Sequence, residues 1–428
     1  MINTSINDNR LCEQAKPLSV VLAMVCFYIF LIIERPWESI RYLEGFPIER
    51  IFAIIMIIVA FMCDRFKIIS SPTNKWVYGL LLLHFILAPF AFNAGHAVDQ
   101  GTEYAKMVVL YLLMLSVSDD GESLNIMVKA FVFSMMIYVI HSLWEYHNGR
   151  MVWRMGISRM VGVDKTYSDP NSFGASVVLS LPFVYTLFRY ELRPWLRKSY
   201  FVYFVLAVVC VVLTGSRSAS VALVFLLILW SILQKGERKI KIMAFVFTSL
   251  IILWFNIPAE KQMRLRTIWD ENAGPANAQK SADGRVHGLE AGWKMFKDAP
   301  FTGVGAGGKN FIGYRISRLD GIPEQAHNLF GEILGEFGAG GILLFAGLVV
   351  AMVRCCLTTR SYMVKMENVE TFSHALAGAI FVSIVLLLLL GLAGHNFYRP
   401  MWLWLAAWTG GLMRLMDKPV SIVIAEKE

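Results

Sequence analysis

Apolar runs long enough to cross a lipid bilayer recur along this sequence from one end to the other. A helix needs roughly 17–25 consecutive apolar residues to span the hydrocarbon core. Only 17% of the residues are charged, whereas soluble domains carry about 25%. The sequence therefore predicts an all-α fold, a polytopic membrane helical bundle.

About twelve spans can be placed, several of them only 15 or 16 residues long. They lie near residues 18–33, 48–63, 76–93, 104–118, 126–143, 171–188, 200–214, 218–233, 239–256, 327–353, 373–393 and 398–415. Lys and Arg are dense in the short loops that a cytoplasmic N-terminus would place inside, so the positive-inside rule favours both termini in the cytoplasm. The acidic loop at 119–125 breaks this rule.

This topology divides the chain into three parts. Residues 1–256 hold spans one to nine, 257–326 form a large outer loop, and 327–428 hold spans ten to twelve and a cytoplasmic tail. A long polar loop between spans is usually where function lies. Residues 284–296 have apolar side chains at helical spacing, which predicts a helix inside the loop. Residues 272–279 are polar and of low complexity, and we predict that they are flexible.

A glycine cluster in the same loop has the spacing of a dinucleotide fingerprint, Gly303-x-Gly305-x-x-Gly308. That motif needs a preceding strand and a βαβ unit, and neither is indicated here. We interpret the cluster as a backbone-permissive turn.

The short turn at 214–220 places Arg217 directly before an apolar helix. A helix N-terminus offers free N–H groups and the positive end of a dipole, and a guanidinium group matches phosphate oxygens. We therefore favour an anion-binding role over the alternative, an interfacial arginine that reaches toward lipid headgroups. Arg285 begins the predicted loop helix and is a second position suited to an anion.

The outer loop at 144–170 carries positive charge against the positive-inside rule. Its basic residues are Arg150, Arg154, Arg159 and Lys165. One interpretation is a site for an anionic ligand, with Arg159 as a substrate-binding residue. The other is solvated charge that is tolerated once other loops fix the orientation. Asn171 follows an Asp-Pro pair that suits a helix start, and it is a further candidate for substrate binding.

His327 stands where the long loop re-enters the membrane. A histidine can take a proton near neutral pH, although a lone histidine at a helix end is more often only a polar residue there. Asn328 beside it can cap a helix and is a candidate for substrate binding. The last outer turn, residues 394–400, could add His395 and Arg399 to the site.

Arg217, Arg285 and His327 are predicted to lie on the outer face at membrane level. Two basic groups near helix starts suit a diphosphate, and no nucleotide motif, metal-ligand cluster or serine-elbow motif competes with this interpretation. The residues alone thus predict an enzyme that acts on a lipid diphosphate.

The order of these features resembles the O-antigen ligase and polysaccharide polymerase superfamily. The resemblance rests on the Thr-Gly-Ser-Arg-Ser turn at 214–218, the large outer loop, a Gly-Arg…Trp…Pro…Gly-x-Gly run, and His-Asn-Leu-Phe-(x)5-Glu-x-Gly-x-x-Gly from 327. It covers roughly residues 160–345. The Asp-Pro-Asn element at 169–171 looks like the branch that includes exopolysaccharide polymerases and proteins assigned as O-glycosylation ligases.

The resemblance implies an inverting, metal-independent glycosyltransferase without a cofactor. Its donor would be a glycan carried on undecaprenyl diphosphate, and its acceptor a hydroxyl of lipid A-core or another glycan. Arg217 and Arg285 would bind the diphosphate, and His327 would act on the acceptor side, all three as catalytic residues. The implied location is the bacterial inner membrane, with many spans, an active site facing the periplasm and no nucleic-acid partner.

Three other functions stay open. A polymerase shares the donor chemistry with a ligase and differs in its acceptor, which this sequence does not specify. A flippase for lipid-linked sugars often has internal repeats with broken helices, and no clear repeat is visible here. A structural scaffold would leave the outer arginines without a role.

Overall fold

The computed structural model describes residues 18–154, 157–164, 169–233, 236–268, 270, 277–366 and 371–417. Within them the chain forms sixteen α-helices and one short β-hairpin. Helices α1 to α8 are Val20–Glu34, Pro36–Ser39, Ile48–Met62, Asn74–Leu87, Ala94–Val117, Gly121–His147, Pro170–Tyr190 and Pro194–Thr214. Helices α9 to α16 are Arg217–Ile232, Gly236–Asn256, Ala259–Arg266, Asn277–Asp298, Gly308–Tyr314, Leu329–Lys365, Phe372–Gly391 and Met401–Asp417. Strands β1, Met151–Arg154, and β2, Ile157–Met160, pair antiparallel.

The chain is an all-α polytopic membrane protein, as predicted, and each of the twelve predicted spans coincides with a helix. Seven helices in the described part are long and apolar enough to cross a membrane. They are Val20–Ser39, Gly121–His147, Pro170–Tyr190, Pro194–Thr214, Lys239–Asn256, Leu329–Lys365 and Phe372–Gly391. Helices α3, α4, α9 and α16 have only 14 to 17 residues, and the 24-residue α5 is not among the seven. The count of twelve spans is therefore not confirmed, and it stays a prediction together with the three-part division of the chain.

The predicted loop helix is present as α12 and ends at Asp298. It begins at Asn277, earlier than predicted, so residues 277–279 belong to a helix rather than to the polar stretch expected at 272–279. The rest of that stretch lies outside the described residues. Helix α12 packs along the beginning of α14, where Gly292 meets the backbone of Gly331 so closely that a Cβ atom would lie 2.2 Å from the Gly331 oxygen.

Helix α14 is broken at Gly338, whose φ of 61° and ψ of −149° lie in a region that is essentially closed to residues with side chains. Around the break, the carbonyls of Gly335 and Glu336 accept hydrogen bonds from outside the helix. The donors are the backbone N–H groups of Val304 (2.8 Å) and Gly305 (3.1 Å). Non-helical backbone at membrane depth is tolerated where other protein groups satisfy it, and here the glycine-rich loop does so.

The glycine cluster is thus a turn, as predicted. Gly303, Gly305 and Gly307 have φ values of 62°, 106° and 94°, and the segment leads into the short helix α13 rather than out of a strand. On the far side of the helix break, the N–H of Ala339 donates to the carbonyl of Pro300 at 2.8 Å. The loop at 300–308 and the broken helix therefore form one hydrogen-bonded unit.

The acidic loop at 119–125, which departs from the positive-inside rule, lies beside basic groups. Asp119 forms ion pairs with Arg65 and with Arg414, the latter at 3.0 Å from Oδ1 to Nη2. Asp120 caps α6 by accepting from the N–H of Ser123 at 2.8 Å. These carboxylates are compensated locally, which explains how an acidic loop can share one end of the bundle with basic loops.

Candidate active site

Three buried cations surround the C-terminus of α8. Lys261 Nζ donates to the carbonyl of Leu213 at 2.9 Å, Arg159 Nε to that of Thr214 at 2.8 Å, and Arg264 Nε to that of Gly215 at 2.7 Å. The last carbonyls of a helix carry partial negative charge and have no partner within the helix, so cations there stabilise it. This cluster fixes the turn that leads into α9.

Arg217 is the first residue of α9, directly after this turn. Ser216 caps the helix by accepting from the N–H of Ala219 at 3.4 Å. The Arg217 side chain is only 8% exposed, and its Nη1 donates to the hydroxyl of Thr267 at 3.0 Å. Thr267 Oγ1 in turn donates to the carbonyl of Arg264 at 2.7 Å, so the guanidinium group of Arg217 is held by the residue that follows α11.

Arg285 lies within electrostatic range of Arg217. Burial lowers the pKa of the Arg285 guanidinium, and the positive charge of Arg217 lowers it further. No described residue forms a hydrogen bond or an ion pair with the Arg285 side chain. The two guanidinium groups repel each other, and that of Arg285 has no anionic partner in the described part of the chain. An anion bound between them would be stabilised by both charges.

His327 is presented by a strained turn. Its φ of 46° is rare for a residue with a side chain, and such strain persists only where the surroundings enforce it. On one side, the backbone of Ala326 lies against Gly288 of α12. On the other, Asn328 caps α14 by accepting from the N–H groups of Phe330 (2.9 Å) and Gly331 (3.1 Å). The imidazole between these anchors is exposed.

A second imidazole lies beside it. The ring centroids of His327 and His395 are 5.3 Å apart. Desolvation in the crowded turn lowers the pKa of His395 to about 4, and the neighbouring His327 and Arg399 lower it while Asp169 opposes them. Arg399 Nη1 donates to the hydroxyl of Ser176 at 3.1 Å, which ties the turn at 392–400 to the start of α7.

Two buried carboxylates of α14 form hydrogen bonds that connect the turn at 392–400 to the rest of the site. Glu332 Oε2 accepts from the N–H of Phe397 at 3.1 Å. Glu336 Oε2 accepts from the N–H of Gly307 at 2.7 Å and from the hydroxyl of Tyr398. The carboxylates thereby connect the histidine-bearing turn to the glycine-rich loop.

The structure brings Arg217 and Arg285 into electrostatic contact and places His327 beside His395. Arg285 is connected to His327 through α12, because Gly288, one turn after Arg285, contacts Ala326. The described residues contain no group of three His, Cys, Asp or Glu side chains placed to hold a metal ion.

The three remaining candidates have structural contacts. Arg159 is 1% exposed and binds the Thr214 carbonyl and, at 2.9 Å, Asn171 Oδ1. Asn328 uses its carbonyl oxygen as the cap of α14, and its Nδ2 donates to the carbonyl of Leu392 at 3.1 Å. Arg159, one of the basic residues of the loop at 144–170, therefore has an interior role that neither sequence-based interpretation foresaw, while Lys165 lies outside the described residues. A direct contact of these three side chains with substrate stays a prediction.

The sequence analysis identified neither the partners of Arg217 nor the contacts of Lys261 and Arg264 with the end of α8. One signal was available. A glycine directly after an apolar helix, here Gly215, is typical of a helix C-terminus, and cations near such an end stabilise it.

Comparison with known families bears on the same segment. Residues 202–346 match the family model of the O-antigen ligases. This confirms the resemblance to the O-antigen ligase and polysaccharide polymerase superfamily, and the matched O-antigen ligase segment contains Arg217, Arg285 and His327. No curated protein matches the chain.

Proposed function

We propose that this protein is an inverting membrane glycosyltransferase that moves a glycan from undecaprenyl diphosphate to an acceptor hydroxyl. The O-antigen ligase match supports a ligase- or polymerase-type enzyme. The donor, the acceptor and the mechanism are our inference from the site. We place the enzyme in the bacterial inner membrane, with the site toward the periplasm, since the distribution of Lys and Arg favours that orientation.

The proximity of Arg217 and Arg285 is the observation that carries the proposal. Arg217 lowers the pKa of Arg285, so the two like charges repel in the absence of a ligand. A diphosphate between them would turn this repulsion into attraction and would offer oxygens that guanidinium groups bind well. The N-terminal dipole of α9 would add to the attraction.

The proposed reaction has one bond-forming and one bond-breaking event at the sugar C1. The acceptor oxygen attacks C1 from the face opposite the diphosphate, and the bond from C1 to the diphosphate oxygen breaks with its electron pair on undecaprenyl diphosphate. Arg217 and Arg285 stabilise the charge that grows on this leaving group. The acceptor hydroxyl gives its proton to His327, which acts as a general base without a metal or cofactor.

A reconstituted reaction tests this proposal. The purified protein in liposomes receives undecaprenyl diphosphate-linked glycan and lipid A-core, and the transferred glycan and released diphosphate lipid are measured. Arg217→Ala and Arg285→Ala should each lower kcat at least about 100-fold, as the loss of one charge-stabilising donor does in other enzymes. Arg318→Ala, an exposed arginine of the same loop, is the matched control.

Two results would overturn parts of the proposal. Full activity in both arginine variants would exclude diphosphate binding by Arg217 and Arg285. Retained activity of His327→Ala from pH 6 to pH 9 would exclude His327 as the general base. Product length then separates the two reaction types, since a polymerase makes a ladder from the donor pool alone and a ligase makes one glycan–acceptor product.

A further inference from the structure

A cleft of about 320 Å³ lies beside the segment that carries His327, and both polar and apolar atoms line it. It is lined by the first turns of α5, by residues 306–309 of the glycine-rich loop and by Gln325. Pockets that bind small molecules measure about 300–1,000 Å³. The cleft therefore has room for a sugar unit, and the proposed roles of Arg217, Arg285 and His327 do not use it.

The segment 324–327 connects this cleft to the active site. Glu324 and Ala326 lie against Gly284 and Gly288 of α12, the helix that carries Arg285, whereas Gln325 lies against Gly308 on the cleft side. Gln325 is two residues before His327, so their Cα atoms are at most about 7 Å apart. Gln325 at the cleft and the imidazole of His327 are thus carried by the same short segment.

Two amide side chains form part of the cleft wall, and glycines make room for them. A Cβ atom on Gly307 would lie 3.2 Å from Gln100 Oε1, and one on Gly308 would lie 2.5 Å from Gln325 Nε2. The described residues offer no hydrogen-bond partner to either amide or to the carboxylate of Asp99. Amides and carboxylates that are open to a cleft can bind hydroxyl groups as donors and acceptors.

The charges in the cleft differ from those around the arginine pair. Carboxylates and a cation share its wall, since Asp99 and Glu103 of α5 line it together with Lys309, and Glu103 is paired with Lys106 at 2.5 Å. The carboxylates offset the charge of Lys309, so the cleft attracts a diphosphate less than the arginine pair does, and its charged and amide side chains make it a poor place for a lipid tail. Of the groups that take part in the proposed reaction, the one that suits this wall is a hydroxyl-rich glycan.

We propose that this cleft binds the acceptor glycan and directs its attacking hydroxyl toward His327. This inference rests on the proposed function, because it assigns the acceptor to a place and leaves the diphosphate with Arg217 and Arg285. Gln325 and Asp99 would bind acceptor hydroxyls, and Gly308 would keep the Gln325 amide in position.

The test measures the KM for the acceptor and the KM for the donor separately. Lipid A-core oligosaccharide and a second molecule of the undecaprenyl diphosphate-linked glycan serve as the two acceptor probes. Gln325→Ala and Asp99→Ala should each raise the acceptor KM roughly five- to tenfold, the effect of one lost hydrogen bond, while the donor KM stays within twofold. Gly308→Ala, which displaces the Gln325 amide, should act in the same direction.

Glu290→Ala is the matched control, since Glu290 is an exposed carboxylate of α12 outside the cleft. An unchanged acceptor KM in all three cleft variants would overturn the inference and leave the glycosyltransferase proposal intact. A rise in the donor KM instead would assign the cleft to the donor glycan and also overturn it. A wild-type protein that transfers to neither probe would contradict the proposed function itself.

Discussion

The contact between Gly288 and Ala326 gives a sharp test of how the site is held. A Cβ atom added at Gly288 would lie 1.7 Å from the carbonyl oxygen of Ala326 and 2.5 Å from its carbonyl carbon. Both are backbone atoms, so no side-chain rotation relieves the overlap. To reach the 3.4 Å at which ordinary contact begins, α12 and the segment before His327 must separate by about 1.7 Å.

This displacement acts on the distance between two proposed catalytic groups. Arg285 lies on α12, one turn before Gly288, and His327 directly follows Ala326. A misplacement of about 1 Å can cost roughly 100-fold in rate, so Gly288→Ala should lower kcat by at least that factor. Alanine is a better helix former than glycine by about 1 kcal/mol, so α12 itself should not unfold.

The assay is transfer of glycan from the undecaprenyl diphosphate donor by the purified protein in liposomes. Gly284→Ala is the matched control, because it lies one turn earlier on the same helix and its added Cβ would be 3.6 Å from Glu324 Oε2, an ordinary contact. A Gly288→Ala variant within about threefold of wild type would refute the claim that this contact sets the geometry. Equal loss in Gly284→Ala would refute it too, by showing that any added methyl group disturbs α12.

Three further predictions concern the surroundings of the site. Arg159→Met removes the hydrogen bonds that this buried cation donates to Thr214 and Asn171. The free energy of unfolding in detergent should therefore fall by about 3 kcal/mol or more. Unchanged stability with a raised donor KM would instead favour a contact between Arg159 and the substrate. The pKa of His395 falls from its ordinary 6.5 to about 4, so between those values the unfolded chain binds more protons and stability decreases as the pH falls. In a His395→Gln variant, the thermal midpoint of unfolding should therefore fall less between pH 6.5 and pH 4 than it does in the wild type. The same decrease in both proteins would contradict this prediction. Gly338→Ala should lower the free energy of unfolding by about 3 kcal/mol or more, because the backbone conformation at this position is strained for alanine and the added Cβ would lie 2.5 Å from the Pro300 oxygen. A melting temperature equal to that of the wild type would contradict the claim that the helix is broken at Gly338.

The helices of this protein were predictable because the length of an apolar run is itself the physical requirement for crossing a bilayer. The loop helix α12 was predictable for a similar reason, since Leu289, Trp293 and Phe296 recur at helical spacing. The number of membrane-crossing helices could not be predicted as reliably from the sequence. Helices of 14 to 17 residues can cross a bilayer only with local adjustment, and composition does not decide whether they do.

The candidate site was predictable only where one residue carries its own chemical signal. Arg217 at a helix start, Arg285 at the beginning of the loop helix and His327 at the membrane entry could be recognised one at a time. Arg159 could not be placed, because its partner Thr214 is 55 residues away in the sequence. The sequence allowed His395 to join the site, but its ring contact with His327 is a tertiary contact between two turns, which leaves no periodic pattern.

The beginning of α14 explains why these parts can act as one unit. At its start, Asn328 caps the helix and donates to Leu392, at the end of α15. One turn later, Glu332 binds the N–H of Phe397 in the turn that carries His395. At Gly338 the helix breaks, and the glycine-rich loop supplies the missing hydrogen bonds. A half-helix fixed at its start, middle and end cannot move relative to the histidine turn or to the cleft without loss of several buried hydrogen bonds. A change in either neighbour should therefore be transmitted to the position of His327.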